Sequence, residues 1–142
     1  KEHEIEAFKA ERATKAKDRA EGRLATVRKR LPGREKDDIT PAFDLVVGDL
    51  SFISLTLVLA ALVPLLKPEG RLLMLVKPQF ELQPGQVGKG GIVRDASLYA
   101  VVEQRIRDCC AELGLEVQAW LDSPISGGDG NREFFVFARR SA

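Results

Sequence analysis

The sequence predicts an α/β fold, with three parallel strands joined by helices and a final strand that runs antiparallel to them. Two observations support this prediction. After residue 42, short apolar runs alternate with helical patterns in the order strand, helix, strand, helix, strand, strand. The last two runs are separated only by a polar, turn-rich loop, which is typical of a hairpin. Such a sheet brings the carboxyl ends of its parallel strands to one edge.

Residues 1–40 are predicted to form a charged helical arm and a linker. Residues 1–39 contain twelve Lys or Arg and nine Asp or Glu, with few large apolar side chains between them. A helix of this composition has a weak apolar seam and a solvated face. Pro32 and Gly33 end the helix, and a polar linker follows. The predicted domains are therefore an arm at 1–40 and a folded domain at 41–142.

The first half of the folded domain is predicted to contain a strand, a helix and a second strand. The apolar run at 45–48 indicates a short buried strand. The uncharged run at 55–66 indicates a helix whose all-round hydrophobicity implies burial, with Ser54 as its N-cap. Residues 67–70 form a predicted turn, and 71–76 the second strand.

The second half begins with a long glycine-rich segment at 78–94, and long loops of this kind are often functional. Asp95 is a suitable N-cap for the amphipathic helix that follows, and Gly114 ends that helix. The run at 115–121 predicts a third strand, 123–132 a polar loop, and 133–138 the fourth strand.

The composition is that of an ordinary globular protein. Hydrophobic residues make up 44% and charged residues 30% of the 142 residues, and the net charge of +1 argues neither for nor against a polyanionic partner. The neighbouring Cys109 and Cys110 suit neither a disulfide nor a metal site, so we predict a reducing, cytoplasmic location and no bound metal. The uncharged run at 50–66 is short for a bilayer and contains Pro64, so no stable membrane association is expected.

Three charged residues lie where predicted strands meet loops. Asp49 and Lys77 follow the first two strands, and Glu133 opens the last one. Because ligands bind outside the carboxyl ends of parallel strands, and an antiparallel strand begins at that same edge, all three are expected to lie together. Each alone is more often a turn, snorkelling or solvated residue. Their convergence beside a glycine-rich loop is what favours a functional site.

Four strings of the folded domain occur together in the order of a known family: DLSFIS at 49–54, VKPQFE at 76–81, VGKGGIVRD at 87–95 and GNREF at 130–134. Over 43–139 the chain thereby resembles the haemolysin A (TlyA) type of ribosomal RNA methyltransferase, a branch of the FtsJ-like 2′-O-ribose methyltransferases. The resemblance implies a partial Rossmann-like methyltransferase sheet. It also implies S-adenosylmethionine as methyl donor and ribosomal RNA, or a ribosomal subunit, as partner.

The resemblance also implies roles for the site residues. FtsJ-like enzymes use a Lys-Asp-Lys-Glu tetrad around the target ribose hydroxyl, and its last three members fall on Asp49, Lys77 and Glu133. In this interpretation Lys77 meets the 2′-hydroxyl and stabilises the developing alkoxide, while Asp49 and Glu133 orient it. Asp49 and Leu50 are candidate contacts of S-adenosylmethionine.

Four further residues are candidate RNA contacts. Lys89 and Arg94 lie in the glycine-rich loop and suit phosphate groups, although a lysine in such a loop also serves solubility. Asn131 and Arg132 precede the last strand, where such residues are usually solvated.

The front end departs from the family pattern. Residues 1–40 contain neither the first tetrad lysine nor the glycine-rich turn that cradles the cofactor, so the chain is expected to be an incomplete fragment, the carboxyl half of the methyltransferase domain. One alternative is a non-catalytic RNA- or protein-binding module that uses the basic cluster at 28–30. Another is a membrane-active, haemolysin-like protein, for which the run at 50–66 is the support. An exposed edge at the first strand would allow self-association.

Overall fold

The computed structural model describes residues 40–141 of the chain. The predicted arm at 1–40 lies outside the described residues, apart from Thr40. Short 3-10 turns separate some of the larger elements. The strands and helices are β1 at Phe43–Gly48, α1 at Leu55–Leu62, β2 at Leu66–Val76, α2 at Leu98–Glu112, β3 at Leu115–Asp122 and β4 at Phe134–Arg140.

The described strands form one four-stranded sheet in the order β1, β2, β4, β3. The first pair is parallel, whereas β4 is antiparallel to both β2 and β3. Three strands therefore point one way and the last points the other, which confirms the predicted α/β class and the closing hairpin. The hairpin does not add its last strand to the outside of the sheet. Instead, β4 inserts between β2 and β3.

One face of this sheet packs against both helices. Successive side chains of a strand point to opposite faces, so a central strand buries every second residue. In β2 these are Leu72, Met74 and Val76, all at most 1% exposed. The strands and helices contribute to a single buried cluster, whose other fully buried members are Leu59, Leu66, Val102, Ile106, Cys110, Val136 and Ala138.

The prediction that the first strand is buried is wrong. In β1 the side chains of Phe43, Leu45 and Val47 are 50, 54 and 65% exposed, whereas Val46 on the other face packs against the core. Within the described residues, β1 pairs with β2 alone and ends the sheet. An apolar run shows that a strand carries an apolar face, but it does not show that a neighbour covers that face. The β1 edge is therefore an apolar surface.

The predicted helix at 55–66 is too long and is not buried on all sides. Helix α1 ends at Leu62 and continues as a 3-10 turn at Val63–Leu65, where Pro64 has no N–H to donate to the preceding helical turn. Only Leu55 and Leu59 are buried, and Leu57 is more than half exposed. No helix among the described residues is long and apolar enough to cross a bilayer.

The predicted turn at 67–70 forms as a bulge inside β2. Phe43 pairs with Leu66 and Leu45 pairs with Arg71, so β2 has three more residues than β1 between these two pairs. Glu69 has a φ of 66°, and a Cβ on Gly70 would lie 2.7 Å from the carbonyl oxygen of Lys67. Glycine is therefore needed where the bulge closes.

The second helix and the hairpin form close to the predicted positions. Asp95 accepts hydrogen bonds from the N–H and the hydroxyl of Ser97, at 2.9 and 2.6 Å, in the turn that leads into α2. The helix itself begins at Leu98, so its N-cap is Ser97 and not the predicted Asp95, and Gly114 follows the helix with a φ of 72°. Strand β3 then runs one residue further than predicted, to Asp122.

Candidate active site

The sheet places the three predicted site residues at one edge. Asp49 directly follows β1 and Lys77 directly follows β2, so both stand at the carboxyl ends of parallel strands. Glu133 directly precedes β4. Because Val76 pairs with Phe134 in the antiparallel register, Lys77 and Glu133 occupy the next pair of facing positions. The structure therefore places all three residues at the sheet edge where the sequence predicts them.

Lys77 is the centre of a small polar cluster. Its Nζ lies 2.6 Å from Oδ1 of Asp49 and donates to Oγ of Ser51 at 2.9 Å. The Lys77 side chain is only 14% exposed, whereas that of Asp49 is 66% exposed. An ammonium group has three N–H donors, so one donor remains for a substrate oxygen. Ser51 was not predicted as a site residue.

Glu133 lies beside this cluster without joining it. Its side chain is buried, and among the described residues it makes neither an ion pair nor a hydrogen bond with Lys77 or Asp49. A Cβ on Gly127 would lie 2.6 Å from Oε1 of Glu133, so the loop before β4 approaches the carboxyl group closely. The structure therefore brings Asp49 and Lys77 into contact and leaves Glu133 adjacent to them.

The glycine-rich loop is tied to the start of β4 by Asn131. The Asn131 side chain is buried, accepts a hydrogen bond from the Val93 N–H at 3.0 Å and donates one to the Gly91 carbonyl at 2.8 Å. These bonds occupy both ends of its amide group, so we infer that Asn131 braces the loop. Lys89 and Arg94 lie exposed on the loop that it holds.

Arg132 is partly engaged within the protein. Its guanidinium donates to Oδ1 of Asp122 at 2.7 Å and lies over the rings of Tyr99 and Phe134, at 5.5 and 5.2 Å from their centroids. Half of its side chain remains exposed. RNA contact by Arg132 stays a prediction, as it does for the two loop cations Lys89 and Arg94.

Phe52 is a candidate that sequence reasoning missed. It lies in the loop after Asp49, is 90% exposed, has a φ of 63°, and its ring centroid is 5.0 Å from that of Phe80. A left-handed conformation costs a residue other than glycine about 1–3 kcal/mol. Phe52 thus presents its ring to solvent beside the polar cluster from a strained backbone. The sequence gives no signal for the backbone conformation.

Glu81 is a second residue whose importance the sequence did not reveal. Its carboxylate accepts hydrogen bonds from the Leu55 N–H at 2.8 Å and from the Ser54 hydroxyl at 2.5 Å. Burial raises the pKa of Glu81, while these two hydrogen bonds and the charge of Arg105 act in the opposite direction. Glu81 thereby joins the loop after β2 to the first turn of α1.

We expect Asn131→Ala to destabilise the protein by about 1–3 kcal/mol, because the buried Val93 N–H loses its acceptor. Chemical denaturation measures the loss, and amide exchange at Val93 should accelerate. Gln104→Ala is the matched control, since it removes an exposed bond to Asp108 and should change stability by less than about 0.5 kcal/mol. Equal stabilities of the two variants would contradict the bracing role.

The position of the site in the fold indicates the class of protein. In open α/β sheets ligands bind outside the carboxyl ends of the parallel strands, and Asp49 and Lys77 lie there, so the chain has the architecture of a ligand-binding α/β domain. The family description of the FtsJ-like methyltransferases matches residues 6–140. The chain belongs to this family. The matched range includes most of the segment at 1–40, so the proposed division at residue 40 stays a prediction.

Named relatives agree with this assignment. Over 96 residues the chain is 46% identical to the 16S/23S rRNA (cytidine-2′-O)-methyltransferase TlyA of Mycobacterium tuberculosis, a match that covers 68% of this chain and 36% of the relative. It is 34% identical over 92 residues to Hemolysin A of Brachyspira hyodysenteriae, covering 65% of this chain and 38% of that protein. The chain thus spans little more than a third of these relatives.

A solved structure shares the fold. The crystal structure of a candidate hemolysin from Lactococcus lactis superposes with a TM-score of 0.66 at 38% sequence identity. The match covers 69% of this chain and 47% of that one. The predicted methyltransferase-type sheet is thereby confirmed over the described residues.

Proposed function

We propose that this chain is part of an enzyme that transfers a methyl group from S-adenosylmethionine to a ribose 2′-hydroxyl of ribosomal RNA. The observation that carries the proposal is the Lys77 ammonium, held by Asp49 and Ser51 with one donor remaining, at the ligand-binding edge of an FtsJ-like sheet. Its relatives include an enzyme named for this reaction on cytidine.

Lys77 would act on the oxygen that attacks the methyl group. As the 2′-oxygen forms its bond to the methyl carbon, its proton passes to solvent water, and a preorganised cationic donor lowers the free energy of the negative charge that develops on the oxygen. Asp49 fixes the position of the ammonium at 2.6 Å, and Ser51 fixes its direction. We assign Glu133 the role of orienting the hydroxyl, because it is buried beside the Lys77 cluster at the start of the neighbouring strand β4.

RNA recognition would use the surfaces around this cluster. Aromatic rings stack on bases with little sequence preference, and Phe52, in the same loop as Asp49 and Ser51, presents its ring to solvent. The exposed cations Lys89, Arg94 and Arg132 suit phosphate groups. Cytoplasmic location and a ribosomal partner follow from this proposal.

S-adenosylmethionine would supply the electrophilic methyl group. Asp49 presents a carboxylate that is two-thirds exposed, and Leu50 adds a partly exposed apolar side chain, so these two residues fit one wall of a cofactor site. The glycine-rich turn of the family has no counterpart in residues 1–40. The fit is therefore partial, and Asp49 and Leu50 would orient the cofactor rather than enclose it.

We expect the chain alone to bind S-adenosylmethionine weakly, with a Kd above about 1 mM, equivalent to about 4 kcal/mol of binding free energy. Isothermal titration measures it. The matched comparison is a chimera in which residues 43–141 replace the corresponding segment of the M. tuberculosis relative, and this chimera should bind at micromolar concentrations. Micromolar binding by the chain alone would contradict the view that its cofactor site is partial.

A non-catalytic RNA- or protein-binding module is the first alternative to this proposed function. The basic cluster at 28–30 lies outside the described residues, and family membership favours an enzyme over a non-catalytic module. Self-association through β1 remains a proposal, supported by its exposed Leu45 and Val47 at the end of the described sheet. Sedimentation of the chain over a range of concentrations tests it.

A further inference from the structure

Two loops at the sheet edge carry the lysine cluster. The first strand-end loop, at 49–54, follows β1 and contains Asp49 and Ser51. The second strand-end loop, at 77–81, follows β2 and begins with Lys77. Neither loop belongs to a helix or strand that would fix it by itself, apart from a single 3-10 turn at Pro78–Phe80. Their relative position must therefore depend on the contacts between them.

These contacts occur at three levels. At the level of the site, Lys77 joins Asp49 and Ser51. Next, the rings of Phe52 and Phe80 meet at 5.0 Å. The third level lies deepest, where the carboxylate of Glu81 accepts from the Ser54 hydroxyl and the Leu55 N–H. Glu81 is 3% exposed, so this is the level that water reaches least.

The path from Glu81 back to Lys77 is short and rigid. Pro78 is buried with its φ fixed by the ring, the Glu81 N–H donates to the Pro78 carbonyl at 3.0 Å, and the Phe80 N–H donates to the Lys77 carbonyl at 3.0 Å. From the other side, Arg105 of α2 donates to the Glu81 carbonyl at 2.5 Å. A displacement of Glu81 would therefore move Lys77.

We propose that Glu81 is a positioning residue that clamps the two strand-end loops together and so holds the Lys77 ammonium against Asp49 and Ser51. The inference rests on the proposed function for its purpose, since a fixed ammonium matters only if it acts on a substrate. The simpler alternative is that Glu81 only caps α1, whose first N–H groups need acceptors. A cap stabilises the helix without governing Lys77.

The reactivity of the Lys77 amine separates the two readings and requires no methyl transfer. The full chain is treated with a limiting acetylating reagent, and the rate at each lysine is read by peptide mass spectrometry. In Glu81→Ala we expect acetylation of Lys77 to rise about tenfold, because the loops then open locally. Lys67 and Lys89 lie outside the two strand-end loops and serve as internal references on the same molecule, so their rates should not change.

Three further variants separate a clamping role of Glu81 from a helix-capping role and from the direct contacts of Lys77. Glu112→Ala removes an exposed carboxylate from α2 and should leave Lys77 unchanged. Ser54→Ala removes one of the two hydrogen bonds to the Glu81 carboxylate, and with it the Ser54 cap on the Thr56 N–H. It should raise the Lys77 rate by a smaller factor. Because the loss of a cap alone would not expose Lys77, a raised rate supports the clamp even if Glu81→Ala does not fold. Ser51→Ala removes a direct partner of Lys77 and should raise its rate in any case.

The outcomes bear separately on the two claims. An increased Lys77 rate in folded Glu81→Ala or Ser54→Ala supports the clamp. If only Ser51→Ala raises the rate, Glu81 is a helix cap and the proposed function stands. If none of these variants raises the rate, the contacts of Lys77 are themselves wrong, and both the clamp and the catalytic role of Lys77 are overturned.

Discussion

Replacement of Lys77 by methionine is expected to slow methyl transfer by the chimera about 10²- to 10³-fold, the usual effect of removing one preorganised donor from a developing oxyanion. Methionine keeps an unbranched apolar stem but provides no donor and no charge. The Asp49 carboxylate would then lose its partner at 2.6 Å, and nothing would stabilise the charge on the 2′-oxygen. The loss should appear in kcat, with little change in KM for RNA.

The matched control is Lys67→Met. Lys67 lies in the β2 bulge, at the end of β2 that is remote from Lys77, and its Nζ is 3.2 Å from Oδ1 of Asp44 in β1. An exposed pair of this kind contributes little, so both rate and stability should stay close to those of the parent. Lys77→Arg should recover only part of the rate, because the planar guanidinium cannot reproduce the position of the ammonium. A Lys77→Met rate above a tenth of the parent rate would contradict the assigned role.

Replacement of Phe52 by alanine is expected to weaken RNA binding about 10- to 100-fold, since stacking of one base contributes about 1–3 kcal/mol. The ring is 90% exposed, so its removal opens no cavity. Fluorescence anisotropy with a ribosomal RNA fragment at fixed salt measures the affinity of the chimera. Phe52→Trp should restore most of it, because tryptophan also offers a flat ring.

The backbone at Phe52 gives this prediction a second, independent part. With a φ of 63°, any residue that carries a Cβ is strained there. Phe52→Gly should therefore be about 1 kcal/mol more stable than Phe52→Ala, although both bind RNA equally poorly. Phe43→Ala is the control, since it removes a half-exposed ring at the far end of β1 and should leave RNA affinity unchanged. An RNA affinity of Phe52→Ala equal to that of the parent would contradict the stacking role.

Much of the site could be predicted because it depends on strand order. Alternating strands and helices force parallel strands, and the ends of parallel strands share an edge whatever covers their faces. Asp49 and Lys77 each stand one residue beyond a strand, so their proximity follows from topology, whereas the ion pair between them is a property of the folded chain. Glu133 reaches the same edge because the last strand is antiparallel, which the polar, turn-rich connection at 123–132 indicated.

What could not be predicted depends on partners distant in sequence. The insertion of β4 between β2 and β3 is a choice among long-range pairings that no local pattern encodes. Similarly, the apolar run of β1 predicts a buried strand, although Leu45 and Val47 are exposed. Phe52 and Glu81 were missed for the same reason: exposure, backbone strain and a carboxylate that reaches a helix 26 residues earlier are properties of the folded chain.

The position of the transferred methyl group tests the central claim most directly. The chimera is incubated with ribosomal RNA and S-adenosylmethionine labelled in the methyl group, and the RNA is then hydrolysed in alkali. A methylated 2′-oxygen cannot attack the adjacent phosphate, so the account predicts label in alkali-resistant dinucleotides, lost in Lys77→Met. Label recovered in mononucleotides with a methylated base, or no label in RNA from an otherwise folded chimera, would contradict it.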